Sequence, residues 1–346
     1  MSFRFWATIV TLILLALVVY FGWGEIANAW SLMGSVNLWL FALIIPVQLL
    51  SYFSVGEIMF SYLRLKGNLK KVNRWQMTRV ALESNFVNHI VPVPAAAGFS
   101  YLNWVFGRFG VSASRATTAQ IIRVVTMAVS FVVLIVISVL VLSFDSKVSR
   151  AIIIVSIMFV IAAVSGTIFV IYSVNNRKRL VALSNWLALV INKVVSFFTR
   201  GNKAQVIKLE TIEGFFIDIH QDYLEINRDK KILVQPMLWS ILTNVLDVSL
   251  VAIAFWSLGF WVNPAVLFIA FGLSTIAAAF MVTPGGAGVY EAIMIGFLTS
   301  TGVPTEIAIA GTLLARSILL VLTISFGYIF YQLTINKYGK ITSTSI

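Results

Sequence analysis

The chain has 346 residues, of which 60% are hydrophobic and only 11% are charged, a composition that excludes an ordinary soluble domain. Its formal net charge of +12 comes largely from Lys and Arg in the links between apolar runs. The positive-inside bias and anionic lipid headgroups account for that placement, so nucleic-acid binding is not expected. No Cys is present, which excludes disulfides and thiol chemistry.

Six apolar runs are long enough to cross a bilayer as helices, which need roughly 20 residues each. None shows the alternation of polar and apolar residues that is typical of a membrane β-barrel, so we predict an all-α polytopic membrane protein. No small-residue cleavage site follows the first run, which we interpret as a retained helix and not as a signal peptide. Basic residues place both termini on the cytoplasmic side. The predicted spans cover residues 5–22, 38–62, 116–142, 151–174, 232–258 and 306–332.

The segment between residues 80 and 106 is apolar but is interrupted by Pro92 and Pro94. Each Pro removes a backbone donor and disfavours helix in the residue before it, so one straight helix is not expected. Basic residues flank the segment at both ends. We therefore predict a re-entrant pair of half-helices that enters and leaves on the cytoplasmic side.

A second break separates the apolar runs 266–282 and 292–298. An irregular backbone at membrane depth persists only where protein or a polar cavity surrounds it, so this stretch is the first candidate for a binding site. It is predicted to be re-entrant from the outer side. Its special residues are Pro284, Gly285, Gly286 and Gly288, and its only charge is Glu291.

The same landmarks recur in the same order in the two halves of the chain: an acid, then a Pro at the same interval, a Gly four residues after the Pro, and an Arg at a similar interval beyond. Because the two breaks open to opposite sides, we predict two inverted repeats, as in many secondary transporters. The predicted units are a first membrane repeat (1–174), a cytoplasmic or interfacial amphipathic and acidic hairpin (175–231) and a second membrane repeat (232–346). The matching pairs are Glu57 and Asp247, Pro94 and Pro284, Gly98 and Gly288, and Arg123 and Arg316.

Charged side chains inside the spans are the candidate site residues. An Arg or Asp at the centre of a lone membrane helix costs on the order of 3 kcal/mol, so these side chains should face the bundle interior. Arg123 and Arg316, beside half-helix N-termini, would form an anion site suited to phosphate. Glu57 and Asp247 either line that site or only neutralise an Arg and join helices.

Two further residues have alternative roles. Glu291 is either a first-turn acid that satisfies the N-terminal amides of the next half-helix, or a contact for a cationic headgroup or a coupling proton. His89, in the first broken segment, either titrates in a proton relay or caps a kinked helix. The only other His is His220, far away in sequence, so no metal site and no cofactor are predicted.

The signature from Val282 to Glu291, with Arg316 downstream and the Pro94 and Gly110 landmarks in the first half, resembles the flippase-like membrane family. This family is the transmembrane region of lysylphosphatidylglycerol synthases, which is also found as stand-alone proteins. The similarity covers roughly residues 5–331. It implies a polytopic inner-membrane protein that moves a lipid or a lipid-linked headgroup between leaflets. The site residues that the resemblance carries over are Pro284, Gly285, Gly286, Gly288, Glu291 and Arg316.

The first half departs from the family pattern. An acid and a nearby Arg often follow the Pro-x-x-x-Gly element in the family, whereas this chain has Ser100, Tyr101 and Asn103 there. The aminoacyl-transfer domain of the synthases is absent from the sequence, so no lysyl transfer is expected.

We therefore expect a lipid translocase and not an enzyme, since no P-loop and no nucleophile elbow is present. The expected partner is a membrane lipid, namely an anionic phospholipid, an aminoacylated lipid or a polyprenyl phosphate. The alternative is a non-transporting membrane protein that binds a lipid carrier or presents it to a glycosyltransferase or synthase. A homodimer and a complex with such an enzyme are both open.

Overall fold

The computed structural model describes residues 34–90, 94–143, 227–279 and 286–339 continuously, together with isolated positions at 31, between 154 and 172, and at 221 and 224. Every regular element in these ranges is helical, which confirms the all-α part of the predicted fold class for this part of the chain. A short 3-10 helix, Lys230–Leu233, precedes the sixth α-helix. The helices are α1 (Leu38–Ala42), α2 (Ile44–Leu65), α3 (Arg74–Ile90), α4 (Pro94–Arg108), α5 (Ala113–Ser143), α6 (Val234–Ser257), α7 (Pro264–Ala279), α8 (Val289–Ser300) and α9 (Thr305–Tyr338).

Within the part of the chain that the structure describes, four helical segments are long and apolar enough to cross a membrane, and they agree with four of the six predicted spans. The remaining predicted spans, at 5–22 and 151–174, lie wholly or mostly outside the described residues, as does most of the hairpin predicted at 175–231. The four segments are Leu38–Leu65, Ala113–Ser143, Lys230–Ser257 and Thr305–Tyr338.

Helices α2 and α6 run antiparallel through the bundle. The chain entering α1 and α2 meets the end of α6, where the amide of Asn37 donates to the carbonyl of Ser257 at 2.8 Å. Further along, Ser51 Oγ donates to Asp247 Oδ1 at 2.6 Å. Half of the most apolar stretch of the segment that contains α6 is buried inside the protein. The corresponding share is 22% for the segments that contain α2 and α5. Helix α6 therefore lies at the centre.

Helices α3 and α4 form an antiparallel hairpin, which we name hairpin 1. Near its tip Ser84 Oγ donates to the carbonyl of Gly98 at 3.4 Å, and the Gly98 amide donates to Asn88 Oδ1 at 3.0 Å. A Cβ at residue 98 would overlap the Asn88 side chain. The Gly therefore lets the two arms approach closely, and the straight helix that Pro92 and Pro94 disfavour is replaced by two.

Helices α7 and α8 form the second pair, hairpin 2, whose arms meet where the ring of Phe271 packs edge-on against Tyr290. In the turn Gly286 has φ +68° and Gly288 has φ +89°, values that only Gly adopts without strain. A Cβ at Gly286 would also overlap the side chain of Ala278. Pro284 and Gly285 lie outside the described residues.

Two hydrophobic clusters hold the hairpins at opposite ends of the bundle. One packs hairpin 1 against the end of α2, the start of α5 and the end of α9. The other packs hairpin 2 against the ends of α5 and α6 and the start of α9. Helices α5 and α9 consequently run in opposite directions, and the tips of the two hairpins point toward each other.

Candidate functional site

A cavity of about 480 Å³ lies where the two hairpins approach each other. Its wall is built mainly by α2, α3, α5, α6 and α9, with contributions from hairpin 2. The volume falls in the range of roughly 300–1,000 Å³ that is typical of small-molecule sites. Among the residues that the sequence singles out, those lining the cavity are His89, Arg123, Asp247, Glu291 and Arg316.

Arg316 and Glu291 form a closed pair on the hairpin 2 side of this cavity. Arg316 Nε lies 2.9 Å from Glu291 Oε1, and both side chains are mostly buried. Glu291 Oε2 accepts from the Gly288 amide at 2.6 Å, which makes it the first-turn acid of α8. The guanidinium of Arg316 also lies 4.4 Å from the ring centre of Tyr290. The pair thus combines a helix cap, an ion pair and a cation–π contact.

The environment of Arg123 differs from that of Arg316. It projects from α5 into the cavity, and its Nε is buried with no hydrogen-bond partner. In the part of the chain that the structure describes, no carboxylate lies within ion-pair distance of its guanidinium. A buried guanidinium of this kind is an unsatisfied donor set with a fixed, planar fork.

Asp247 lies on α6 in the same cavity. Its only described hydrogen bond is the one it accepts from Ser51 at 2.6 Å, and no described Lys or Arg nitrogen comes within ion-pair distance. Asp247 therefore joins α2 to α6 through a neutral donor and has no described cationic partner. Among the described residues that line the cavity, one Arg and one carboxylate are thus without an oppositely charged partner.

The polar wall on α2 is not among the predicted site residues. Asn85 Nδ2 donates to Tyr52 Oη at 2.6 Å, Tyr52 Oη lies 2.7 Å from Thr323 Oγ1, and Gln48 Nε2 lies 3.3 Å from the same hydroxyl. This series of hydrogen bonds ties α3, α2 and α9 together in the cavity wall. A sequence signal for it exists, since Gln48, Ser51 and Tyr52 recur at the spacing of one helix face inside a predicted span.

His89 lines the cavity near the tip of hairpin 1. Its Nδ1 lies 2.8 Å from the carbonyl oxygen of Asn85, one turn earlier on α3. A carbonyl only accepts, so Nδ1 carries the proton and the imidazole is oriented by the helix end. This contact corresponds to the capping role among the two predicted alternatives, and it leaves Nε2 on the other edge of the ring.

Glu57 lies elsewhere. Its carboxylate is buried near the end of α2, where Oε1 is 3.6 Å from Nε of Arg74 at the start of α3, and it does not line the cavity. Of its two predicted roles this contact corresponds to the neutralising one, with Arg74 as the partner. Gly286 and Gly288 shape the turn of hairpin 2 and do not themselves line the cavity.

A second buried carboxylate, Glu83, has no predicted site role. It is fully buried on α3, where it accepts from Tyr101 Oη at 2.6 Å and from Thr334 Oγ1 at 2.8 Å, with Arg79 Nη2 at 3.9 Å. These contacts join both arms of hairpin 1 to α9. Tyr101 and Glu291 follow their respective Pro residues at the same interval, so the two hairpins place different chemistry at equivalent positions.

The sequence matches the model of a known protein family. The family model described as the lysylphosphatidylglycerol synthase TM region matches residues 5–327, which is most of the chain. No curated protein matches the chain.

Proposed function

The chain belongs to the family of lysylphosphatidylglycerol synthase transmembrane regions, and we propose that it is a lipid translocase of the inner membrane. In this proposal a phospholipid or lipid-linked headgroup passes through the cavity between the hairpins while its acyl chains stay in the bilayer. One observation carries it: a cavity of about 480 Å³, lined by four charged side chains, lies inside a bundle of otherwise apolar spanning helices. Charges at that depth are costly unless they serve a polar pathway.

The exposure of part of the cavity wall supports passage of a lipid in particular. Three residues that line the cavity are exposed: Ala287 in the turn of hairpin 2, and Ser317 and Leu320 on α9. Next to them α9 presents exposed apolar side chains, Val321 and Ile324, as a lipid-facing helix does. A headgroup can therefore sit inside while its acyl chains lie against α9.

Corresponding helices of the two halves run in opposite directions through the bundle, which supports an inverted repeat as part of the same proposal. Helices α2 and α6 are antiparallel, each has Pro as its third residue, and each is followed by a hairpin at its own end of the bundle. Alternating access in such folds rocks one repeat against the other around a fixed central site. The predicted units at 1–174 and 232–346 are the corresponding repeats, joined by 175–231.

Within the site we assign the phosphate to Arg123, since its guanidinium is open and its fork geometry matches phosphate oxygens. Arg316 is the second cation of the cavity and is held by Glu291, so the pair forms the wall and the gate on the hairpin 2 side. Asp247 lines the pathway opposite. Glu57, which packs against Arg74, is left out of the site.

The test is leaflet exchange in proteoliposomes that contain acyl-chain-labelled phosphatidylglycerol, an aminoacylated lipid or a labelled polyprenyl phosphate. Exchange is scored as the fraction of label that a membrane-impermeant quencher reaches. Wild type should expose the inner-leaflet label of at least one lipid, and Arg123→Ala should reduce that rate to the protein-free level. Arg115→Ala is the matched control, because Arg115 lies on the same helix outside the cavity and contacts Asn68.

Equal exchange for wild type, Arg123→Ala and protein-free liposomes would refute translocation. If the wild type binds one of these lipids without exchanging it, and copurifies with a glycosyltransferase or synthase, the alternative of a lipid-presenting partner takes its place.

A further inference from the structure

The described lining of the cavity has as many carboxylates as arginines, although the whole chain is strongly basic. Among the described residues it contains two arginines and two carboxylates, and one of each is already engaged in the Arg316–Glu291 pair. The open groups are therefore one guanidinium, Arg123, and one carboxylate, Asp247. A purely anionic headgroup would satisfy the first and repel the second.

Arg123 and Asp247 do not neutralise each other, and the packing of their helices explains why. Ser240 Oγ donates to Thr126 Oγ1 at 2.8 Å, and Asn244 Nδ2 donates to Ser130 Oγ at 2.7 Å. These two contacts, one turn apart on α6, fix its register against α5 next to Arg123. The two open charges consequently stay apart instead of collapsing into a pair.

An unused acceptor lies on the Asp247 side of the cavity. Gln48 Nε2 donates to the carbonyl of Leu319 at 3.4 Å, which only accepts, so the orientation of the amide is determined. Its Oε1 is buried and has no hydrogen-bond partner among the described residues, and Gln48 lines the same cavity. Gln48 lies one turn before Ser51, the residue that donates to Asp247. Asp247 and Gln48, with its unused amide oxygen, thus lie close together in the cavity wall.

Buried polar atoms that stay unpaired in the empty protein are costly, and a ligand that pairs them recovers that cost. The open atoms here are donors on Arg123 and acceptors on Asp247 and Gln48. A phosphodiester accepts from a guanidinium fork, and a primary ammonium offers three donors to a carboxylate and an amide oxygen.

We propose that the cavity selects a zwitterionic phospholipid headgroup, a phosphodiester with a primary ammonium, by placing the phosphate at Arg123 and the ammonium at Asp247 and Gln48. This inference rests on the proposed translocation and names its substrate class. Such a cavity binds phospholipids with a primary ammonium in preference to phosphatidylglycerol and polyprenyl phosphate, which lack the cation. It also binds them in preference to phosphatidylcholine, whose quaternary ammonium has no N–H to donate.

The experiment compares four acyl-chain-labelled lipids in proteoliposomes: phosphatidylethanolamine, phosphatidylcholine, phosphatidylglycerol and polyprenyl phosphate. Wild type should exchange phosphatidylethanolamine about tenfold faster than phosphatidylglycerol, the discrimination expected from hydrogen bonds to a charged group. Asp247→Asn and Gln48→Leu should each lower the ratio of the two rates, toward one for Asp247→Asn. Ser249→Ala is the matched control, because Ser249 lies on α6, bonds only to the carbonyl of Val245 and does not line the cavity.

A binding measurement separates this inference from translocation itself. Short-chain phosphatidylethanolamine and phosphatidylglycerol are added to the detergent-solubilised protein, and the rise in Tm is recorded. A larger rise with phosphatidylethanolamine that Asp247→Asn abolishes supports the headgroup class, even where no lipid is exchanged and translocation fails. Equal rises, or equal exchange of phosphatidylethanolamine and phosphatidylglycerol by wild type, overturn the headgroup class and leave translocation standing.

Discussion

The two halves of the molecule carry arginines at similar places in the sequence pattern but in different environments. Arg316 is bonded to Glu291, which is itself held by the Gly288 amide, and it lies over the ring of Tyr290. Arg123, in the first half, has a buried Nε with no partner among the described residues. Tyr101 follows Pro94 at the interval at which Glu291 follows Pro284, but it donates to Glu83 and does not line the cavity.

This difference indicates that the two halves contribute different functions to the cavity. The second half neutralises its own Arg by pairing it with Glu291, whereas the first half leaves its Arg without a described partner and available to a ligand. The buried acid of hairpin 1, Glu83, lies on its first arm, α3, whereas Glu291 lies on the second arm of hairpin 2, α8. Glu83 stabilises the packing against α9 instead of closing the cavity. The cavity is asymmetric because Arg316 is paired with Glu291, whereas Arg123 has no carboxylate partner among the described residues.

The largest effect is expected when an acid is introduced beside Arg123. Met127 lines the cavity one turn beyond Arg123 on α5, so Met127→Glu should form an i,i+4 ion pair with Arg123. We expect lipid exchange in proteoliposomes to fall by about 100-fold, because the guanidinium is no longer available to phosphate. Met127→Gln, which has nearly the same shape without the charge, should retain most of the exchange. Equal loss in both variants would show that volume, and not pairing, matters at this position.

The next largest effect concerns stability at hairpin 1. Glu83→Ala removes the acceptor of both Tyr101 and Thr334 in a fully buried site, and we expect a loss of about 3 kcal/mol in the free energy of unfolding. Thermal unfolding in detergent, followed by circular dichroism, measures the change. Arg79→Ala, which removes only the distant partner at 3.9 Å, should cost less. A Glu83→Ala protein with unchanged Tm would contradict the structural role.

The two arginines should respond in opposite ways to truncation. Arg316→Ala leaves Glu291 without its ion-pair partner and should cost about 1–2 kcal/mol of stability. Arg123→Ala removes a buried charge that has no described partner, so Tm should stay the same or rise even though exchange is lost. This prediction is tested by measuring Tm and lipid exchange for both variants side by side. A larger drop in Tm for Arg123→Ala than for Arg316→Ala would contradict the difference between the two arginines.

The smallest effect is expected when the pair in the second half is replaced as a unit. Glu291→Gln combined with Arg316→Gln keeps polar side chains of similar shape and leaves no charge unmatched, so the double variant should lose less than about 1 kcal/mol. Each single variant leaves one charge unpaired and should be less stable than the double variant. A double-mutant cycle on Tm in detergent measures this coupling. Additive losses would mean that the ion pair contributes no coupling energy.

The sequence alone determined the features that depend on local backbone chemistry. Apolar runs of sufficient length predicted four of the spans that the structure describes, and Pro and Gly marked both breaks, because missing donors and left-handed φ values act over a few residues. The cost of intramembrane charge identified Glu57, Arg123, Asp247 and Arg316 before any geometry was known, and Glu291 was identified as the only charge of the Gly-rich break. All of these except Glu57 line the cavity.

Only the tertiary structure decided which of these charges are paired. Glu57 and Asp247 occupy equivalent places in the sequence pattern, yet one packs against Arg74 and the other faces the cavity. Gln48 and Tyr52 join the site because α2 lies against α6 and α9, an arrangement set by contacts between residues far apart in the chain. Local patterns select which residues become buried, but the distances between helices determine whether two buried charges meet, and those distances depend on packing across the whole bundle.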